Sequence, residues 1–416
     1  MDYNHNNSIV LTDFHAVLPS VPLPQDDSVE LLALGVTKAV AVKSGKISEK
    51  QVDRIYNKVR SALKQFGATS NSIKQRCLVF GPSEYKHILG KSLVENDRFI
   101  EHDFNFPLFE DLVYKHTNPY GASLSQRIQM IDSKTVDLVQ KLYANEIDPP
   151  DEIIHVTSTG YTDPNPVDKL VDKKKWYETA VSNCYHRGCN AAMPAIRMAH
   201  DVIRSSLYNG FDKEKSRIDI VHSEVNSAHI DICEYDPMNI VFLTEFSDGF
   251  IRYSARPYAS FREYNSTGLK ILTMKRQFIP GTTKTSVYST ASPNFVLEVD
   301  PMQYINAIKN NFKPFVVSLC DQAGIDFKKE KKDLIFAIQP SGAVFLKKLG
   351  RFLHLSEDQL LLSRKAMYEN GDMTSVSLPY ILQDILESDH ISTGTKIVAL
   401  GYAQGIILGG IVFEKI

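Results

Sequence analysis

The stretch Asn183-Cys184-Tyr185-His186-Arg187-Gly188-Cys189-Asn190-Ala191-Ala192-Met193-Pro194-Ala195 joins a strand-like pattern to a helix-like one, which continues over residues 195–203. Gly188 supplies the backbone freedom for a sharp strand-to-helix turn, so the sulfur of Cys189 can face a cavity. A thiol at a helix N-terminus lies near unpaired N–H groups and the positive end of the helix dipole, which both favour the thiolate. The pattern therefore predicts a nucleophilic cysteine, although a small buried hydrophobic cysteine fits the same local sequence.

The composition excludes several classes of protein. The chain has 416 residues, of which 43% are hydrophobic and 23% charged, which is typical of a globular protein with a large core. A formal net charge of −2 gives no basic field, so we expect no nucleic-acid partner. The five cysteines are odd in number and scattered, which indicates reduced thiols rather than a disulfide framework. No second Cys/His pair joins Cys184 and Cys189, so we predict no metal site.

Both ends of the sequence bear on location. The N-terminus is polar and lacks the layout of a signal peptide, which predicts a cytoplasmic protein. Residues 397–413 are nearly all apolar, with glycines at GxxxG spacing, as in some membrane helices. That run is short, contains Gln404, and is rich in glycine and β-branched residues. It predicts two buried strands joined at residues 403–405 and no membrane span.

Strand-like and helix-like patterns alternate along the chain, which favours an α/β fold with mainly parallel central sheets. The predicted strands are residues 9–11, 152–160, 218–225, 239–244, 250–254, 269–278, 333–338, 396–400 and 406–413. The further predicted helices are residues 27–42, 51–66, 123–145, 302–324, 343–353 and 376–387. The second half repeats the order of the first, which indicates an internal duplication with the active site between the halves. We predict halves of residues 1–258 and 259–416, with the junction within residues 256–266.

Seven short motifs follow one another along the chain: Ser72-Ile73-Lys74-Gln75-Arg76, Val156-Thr157-Ser158-Thr159-Gly160-Tyr161, His186-Arg187-Gly188-Cys189, His222-Ser223-Glu224-Val225, Phe246-Ser247-Asp248-Gly249, Gly371-Asp372-Met373-Thr374-Ser375 and Gly401-Tyr402-Ala403-Gln404-Gly405. Together they make the chain resemble the thiolase superfamily, nearest to its ketoacyl-ACP synthase III and chalcone-synthase-like (type III polyketide synthase) branch. The resemblance covers nearly the whole chain. It implies a thiolase fold, in which duplicated halves form a five-layered αβαβα arrangement.

The resemblance also implies a catalytic triad of Cys, His and Asn, and this sequence departs from it at two positions. Gln339 stands where the family has histidine, and Asp372 stands where it has asparagine. Gln339 can donate an N–H but cannot titrate near pH 7. Asp372, if ionised, only accepts hydrogen bonds and opposes a developing enolate, so ordinary decarboxylative condensation is expected to be poor.

Three functions are compatible with these residues. The first is a ketosynthase-like condensing enzyme that takes an acyl group onto Cys189 and uses Gln339 as the sole oxyanion donor. The second is an O- or N-acyltransferase in which Asp372 is the base that deprotonates an alcohol or amine. The third is a non-catalytic partner subunit of a paralogous ketosynthase, although the retained Gly188-Cys189 pair argues against it. The first two share acyl transfer from a thioester through Cys189.

The resemblance implies the substrates and partners as well. The donors are expected to be thioesters of CoA or of a carrier protein's phosphopantetheine, with no metal or redox cofactor. The expected substrate-binding residues are Lys74, Arg76, Thr159, Gly342, Ser375 and Gly405. Of these, Lys74 and Arg76 are candidates for a basic patch that holds the phosphates. A homodimer is expected, with a heterodimer formed with a paralogue as the alternative.

Overall fold

The computed structural model describes residues 8–45, 48–82, 106–115, 117–209, 214–261 and 267–416. Its strands are β1 (Ile9–Val17), β2 (Leu23–Pro24), β3 (Gln75–Arg76), β4 (Glu152–Thr157), β5 (Ala180–Tyr185), β6 (Ile218–Glu224), β7 (Gly249–Pro257), β8 (Leu269–Phe278), β9 (Ser286–Thr290), β10 (Phe295–Val299), β11 (Ile335–Ile338), β12 (Lys396–Ala403) and β13 (Ile407–Lys415). Its helices are α1 (Gln25–Lys43), α2 (Glu49–Phe66), α3 (Glu110–Lys115), α4 (Leu124–Leu142), α5 (Pro166–Lys174), α6 (Ala192–Asn209), α7 (Pro237–Glu245), α8 (Tyr258–Phe261), α9 (Pro301–Gln322), α10 (Phe327–Glu330), α11 (Ala343–Leu353), α12 (Leu361–Asn370) and α13 (Ser377–Glu387).

The main sheet has the strand order β11-β12-β13-β8-β1-β7-β6-β4-β5. Its two halves meet where β1 pairs with β8 at only two positions, Val10 with Lys270 and Leu11 with Leu269. In the first half, β4 is parallel to β5 and β6, and β7 is antiparallel to β6 and β1. In the second half, β11 is parallel to β12, and β13 is antiparallel to β12 and β8. The shared pattern confirms the duplicated α/β arrangement that the sequence predicts. The expectation of mainly parallel sheets is wrong, because five of the eight strand pairs described in this sheet are antiparallel.

Successive side chains of a strand point to opposite faces, and here the two faces belong to different hydrophobic cores. On β4, Ile153 packs with α1, α2 and α4, whereas Ile154 packs with α6 and α13. On β12, Val398 packs with α9 and α11, whereas Ala399 joins the same core as Ile154. Helices α6 and α13 thus lie between the two half-sheets, with helices outside both. This is the five-layered αβαβα thiolase arrangement.

One element differs in type from its prediction. The apolar run at residues 239–244 was expected to be a strand, but it lies within α7. The Asp236 carboxylate accepts hydrogen bonds from the backbone N–H groups of Met238 and Asn239, and Pro237 occupies the first helical position. Because an N-cap and a following proline start a helix, these local signals outweigh the β-branched composition of the run.

The apolar C-terminal segment forms strands, as predicted. β12 and β13 pair in antiparallel register from Lys396 with Glu414 to Ala403 with Ile407. No helix in the described part of the chain is long and apolar enough to cross a membrane. The predicted boundary after residue 258 falls just beyond β7, between the two half-sheets.

Candidate active site

A sharp turn carries Cys189 from the end of β5 to the start of α6. Backbone φ is positive at both His186 (54°) and Gly188 (56°), and a single 3₁₀ turn, Gly188–Asn190, precedes the helix. The Gly188 N–H donates to Ser158 Oγ at 2.9 Å, which fixes the turn to the loop after β4. A side chain at position 188 would overlap the Gln404 amide, so the turn requires glycine for both conformation and space.

Gly188→Ala is expected to destabilise the turn more than a positive φ alone explains. Alanine at positive φ costs about 1–2 kcal/mol, and the overlap with Gln404 adds to this cost. Gly281→Ala is the matched control, because Gly281 has φ +77° but no described atom lies within 4 Å of the place that its Cβ would occupy. Denaturant unfolding compares the two variants. Equal losses of unfolding free energy would mean that the contact with Gln404 is unimportant.

The glycines of the C-terminal strands make room for the residue after the cysteine. A Cβ at Gly401 would lie 2.5 Å from Asn190 Oδ1, and one at Gly409 would lie 2.6 Å from it. Asn190 is buried, and its Oδ1 has no hydrogen-bond partner among the described residues. The GxxxG spacing therefore serves close packing of the Cys189 turn against β12 and β13.

Gln339 follows β11 and is fully buried. Its Nε2 donates to the carbonyl oxygens of Thr374, at 2.9 Å, and Pro340, at 3.2 Å. Its Oε1 is buried without a partner in the described part of the protein. Both donors are thus directed at the backbone, so the expectation that Gln339 is the sole oxyanion donor does not agree with the structure. The amide instead ties the β11 loop to the loop that follows Asp372.

Asp372 is buried in the loop between α12 and α13. Its Oδ1 accepts a hydrogen bond from the Thr374 N–H at 2.9 Å, and its own N–H donates to the Glu245 carbonyl at 2.8 Å. Burial raises the pKa of Asp372 to about 8, and the charges of Glu245 and Glu224 contribute to the shift. The carboxyl is therefore mostly neutral at pH 7. This corrects the sequence argument, which considered an ionised Asp372 that opposes an enolate.

Cys189 is half-buried by its exposed area and lies within reach of the same carboxyl groups. Burial, followed by the charges of Asp372 and Glu224, raises the pKa of the thiol well above its usual range. A hydrogen bond from the Ser341 hydroxyl acts in the opposite direction but does not outweigh them. The backbone N–H of Cys189 at the helix N-terminus lowers the pKa of the thiol, in the direction that the sequence predicts, but the other contributions outweigh it. Burial and acidic neighbours dominate over the helix dipole.

Glu224, at the end of β6, connects the two halves of the site. Its Oε2 accepts hydrogen bonds from the Ser158 N–H at 3.0 Å and the Thr159 hydroxyl at 3.2 Å. Its Oε1 accepts one from the Ser375 hydroxyl at 2.6 Å. Burial raises the pKa of Glu224 to about 7. Thr159 and Ser375, expected to bind substrate, are buried and hold this carboxylate.

The structure places the other predicted binding residues in different surroundings. Arg76 is buried, and its guanidinium donates to Gln25, Ser28 and the carbonyl oxygens of Leu243 and Phe246. The guanidinium thus donates to acceptors inside the protein, which does not agree with a role in holding phosphates. Lys74 is exposed beside it. Gly342, with φ +83°, packs against the Glu245 carboxylate, and Gly405, with φ +64°, turns the chain between β12 and β13.

Sequence reasoning missed several hydroxyl groups of the site. The Ser341 hydroxyl lies between Cys189 and Tyr402, and the Tyr402 hydroxyl donates to the Gln339 carbonyl at 3.1 Å. Tyr304 also interacts electrostatically with Cys189, and so does Tyr288. Ser341 could have been found, since it stands in the loop that also carries Gln339. The tyrosines are distant in sequence and follow no motif. Among the described residues, no acidic, cysteine or histidine group suited to a metal ion occurs.

Two duplicated α/β halves with a cysteine on the turn before a central helix, facing loops of the second half, define a protein of the thiolase fold. Residues 270–416 match the family described as chalcone and stilbene synthases, C-terminal domain. These findings confirm the resemblance to the chalcone-synthase-like branch of the thiolase superfamily.

Curated relatives are type III polyketide synthases from plants. Type III polyketide synthase 21 of Oryza sativa subsp. japonica is 27% identical over 237 residues, which cover 55% of this chain and 57% of the relative. Type III polyketide synthase A of Arabidopsis thaliana is 24% identical over 247 residues, or 56% and 57% of the two chains. The chain thus spans a little over half the length of these relatives.

Solved structures agree with the fold over nearly the full length. PKS-I from the brown alga Ectocarpus siliculosus has a TM-score of 0.75 at 16% identity and covers 98% of each chain. The C-terminal type III polyketide synthase domain of Steely1, a type I/III hybrid from Dictyostelium, has a TM-score of 0.70 at 19% identity. That match covers 98% of this chain and 99% of the Steely1 domain.

Proposed function

We propose that this protein is a condensing transferase of the type III polyketide synthase kind. Cys189 takes an acyl group from a CoA thioester and passes it to the carbanion formed from a malonyl thioester. One observation carries the choice of condensation: Asp372 is buried and interacts electrostatically with Cys189 and with two other carboxyl groups. A neutral carboxyl donates a hydrogen bond, as the amide of the family's asparagine does.

In the acylation step, the small ionised fraction of Asp372 takes the proton from the Cys189 thiol. Once Asp372 is protonated, it no longer carries the negative charge that raises the pKa of the thiol. The thiolate is therefore easier to form. The thiolate attacks the thioester carbonyl and forms the new S–C bond. The bond from that carbon to the sulfur of CoA breaks, and the CoA thiolate leaves and is protonated by solvent. Asp372 stays neutral.

In the condensation step, the malonyl thioester loses CO₂ and the electron pair of the broken C–C bond forms an enolate. The neutral Asp372 carboxyl donates a hydrogen bond to the enolate oxygen. The Ser341 hydroxyl, in the loop that also carries Gln339, is a second donor. The enolate carbon attacks the acyl carbonyl on Cys189, and the S–C bond breaks. The Cys189 thiolate then recovers its proton from Asp372, so the cycle is balanced.

The proposed donors are acyl-CoA and malonyl-CoA, with no additional cofactor. Lys74 remains a candidate contact for the CoA phosphates, because it is exposed. We further propose a homodimer. β5 lies at the end of the described nine-stranded sheet and carries the chain directly into the Cys189 turn, so a partner at this edge would adjoin the site.

The test is a product assay with acyl-CoA and malonyl-CoA, in which CO₂ and a new C–C bond are measured by mass spectrometry of the product. Condensation predicts both in equal amounts and neither with Cys189→Ala. An ester or amide formed without CO₂ would instead support the acyltransferase in which Asp372 is a base. Loading of no acyl group, together with co-purification of an active paralogue, would support the non-catalytic partner.

A further inference from the structure

A continuous chain of hydrogen bonds leads from the core of the first half to the Cys189 turn. His222 Nε2 is 3.1 Å from the Tyr253 hydroxyl, and His222 Nδ1 is 3.1 Å from Ser375 Oγ. Ser375 Oγ donates to Glu224 Oε1 at 2.6 Å. Glu224 accepts from the Ser158 N–H, and Ser158 Oγ accepts from the Gly188 N–H. All the side chains of the chain are buried.

The chemistry of the groups fixes the direction of these bonds. When Glu224 is ionised, the one proton of the Ser375 hydroxyl goes to its carboxylate. Ser375 Oγ must therefore accept from His222, whose Nδ1 carries the ring proton. Burial lowers the pKa of His222 to about 3, so the ring is neutral, and Nε2 accepts from the Tyr253 hydroxyl. The ring also stacks on Tyr253, with centroids 5.6 Å apart, which holds its orientation.

We propose that His222 is a positioning residue: its Nδ1–H orients the Ser375 hydroxyl onto Glu224, and Glu224 thereby holds the Cys189 turn. The expected effect on acyl loading rests on the proposed function, whereas the orientation of Ser375 and Glu224 does not.

The effect on Cys189 follows from the surroundings of Glu224. Four titratable groups of the described residues interact electrostatically with Glu224: Asp248, Asp372, Cys189 and Tyr288. Loss of the Ser375 bond removes a donor to the Glu224 carboxylate and favours its neutral form. Because the thiol ionises well above the pKa of Glu224, the carboxylate is still charged when Cys189 loses its proton, and without the Ser375 hydroxyl its charge is less offset. The pKa of the thiol should then rise, while the turn itself becomes less firmly held.

The experiment compares His222→Asn, His222→Gln and Ser375→Ala. An Asn amide nitrogen takes the place of Nδ1, whereas a Gln amide nitrogen takes the place of Nε2. The readout is the pH dependence of Cys189 alkylation by iodoacetamide, measured on the Cys189 peptide, together with the rate of acyl loading. Alkylation needs no substrate, so it remains informative even if the proposed function fails.

We expect His222→Asn to keep the wild-type alkylation midpoint. We expect His222→Gln and Ser375→Ala to shift the midpoint to higher pH by about half a unit or more and to slow loading about tenfold. Equal midpoints in all four proteins would overturn the proposal and leave His222 a packing residue, even if melting temperatures fall. If His222→Gln does not fold, Ser375→Ala against wild type decides the matter.

Discussion

Cys189→Ala is expected to abolish covalent loading of the protein. Wild-type protein incubated with an acyl-CoA should gain the mass of one acyl group per chain, and the variant should gain none. Turnover should fall by about 10⁴-fold or more, because no other group in the mechanism can form the acyl-enzyme. Intact-protein mass spectrometry with a panel of acyl-CoA donors measures the loading.

Cys184→Ala is the matched control for this experiment. Cys184 lies five positions earlier on β5 and is buried in a hydrophobic core, whereas Cys189 is half-buried, so Cys184 should not be acylated. This variant should load like the wild type. A mass gain that persists in Cys189→Ala would contradict the account, and loss of the gain in Cys184→Ala alone would make Cys184 the nucleophile instead.

The second large effect is expected at Asp372, whose substitution should affect acyl loading and condensation differently. On enzyme already loaded with an acyl group, Asp372→Ala should slow condensation by about 10²–10³-fold, because it removes an oxyanion donor. Asp372→Asn should keep condensation within about tenfold, since the amide also donates. Acyl loading, in contrast, should slow in both variants because neither can take the thiol proton. Single-turnover kinetics with malonyl-CoA and with acyl-CoA separate these steps.

An acyltransferase that uses Asp372 as a base predicts a different result. In that case Asp372→Asn and Asp372→Ala should both lose transfer to the acceptor, because neither side chain accepts a proton. The comparison of these two variants therefore distinguishes a donor from a base at one position. Circular dichroism and the melting temperature should accompany it, because Asp372 also accepts a hydrogen bond from the Thr374 backbone.

Much of the fold could be predicted because its elements follow hydrophobic periodicity. The buried strands and the order of the two halves were visible in the sequence, and β12 with β13 was distinguished from a membrane helix by its glycines. One exception is the strand direction, since the sheets were expected to be mainly parallel and most strand pairs described in the main sheet are antiparallel. The other is α7, where the β-branched run favoured a strand while Asp236 and Pro237 started a helix. Local capping signals are short, so a pattern based on composition misses them.

The site was harder to predict, because its chemistry depends on burial. The sequence identified Cys189, Gln339 and Asp372 as catalytic candidates, and the structure brings their loops together. It could not give their protonation, since the pKa of Asp372 is set by the burial and charges that the fold creates. It also assigned Arg76 to the surface. That residue is polar in sequence but donates only to internal acceptors, which no local pattern reveals.

The most direct test of the account is the pH dependence of single-turnover condensation by acyl-loaded enzyme, from about pH 6 to about pH 10. The pKa of Asp372 is raised to about 8, and the neutral form is the active donor, so the wild-type rate should be level below that pH. Above it, the rate should fall about tenfold per pH unit, while Asp372→Asn stays level. A wild-type rate that rises through pH 8, or a fall that Asp372→Asn retains, would contradict a neutral Asp372 as the donor.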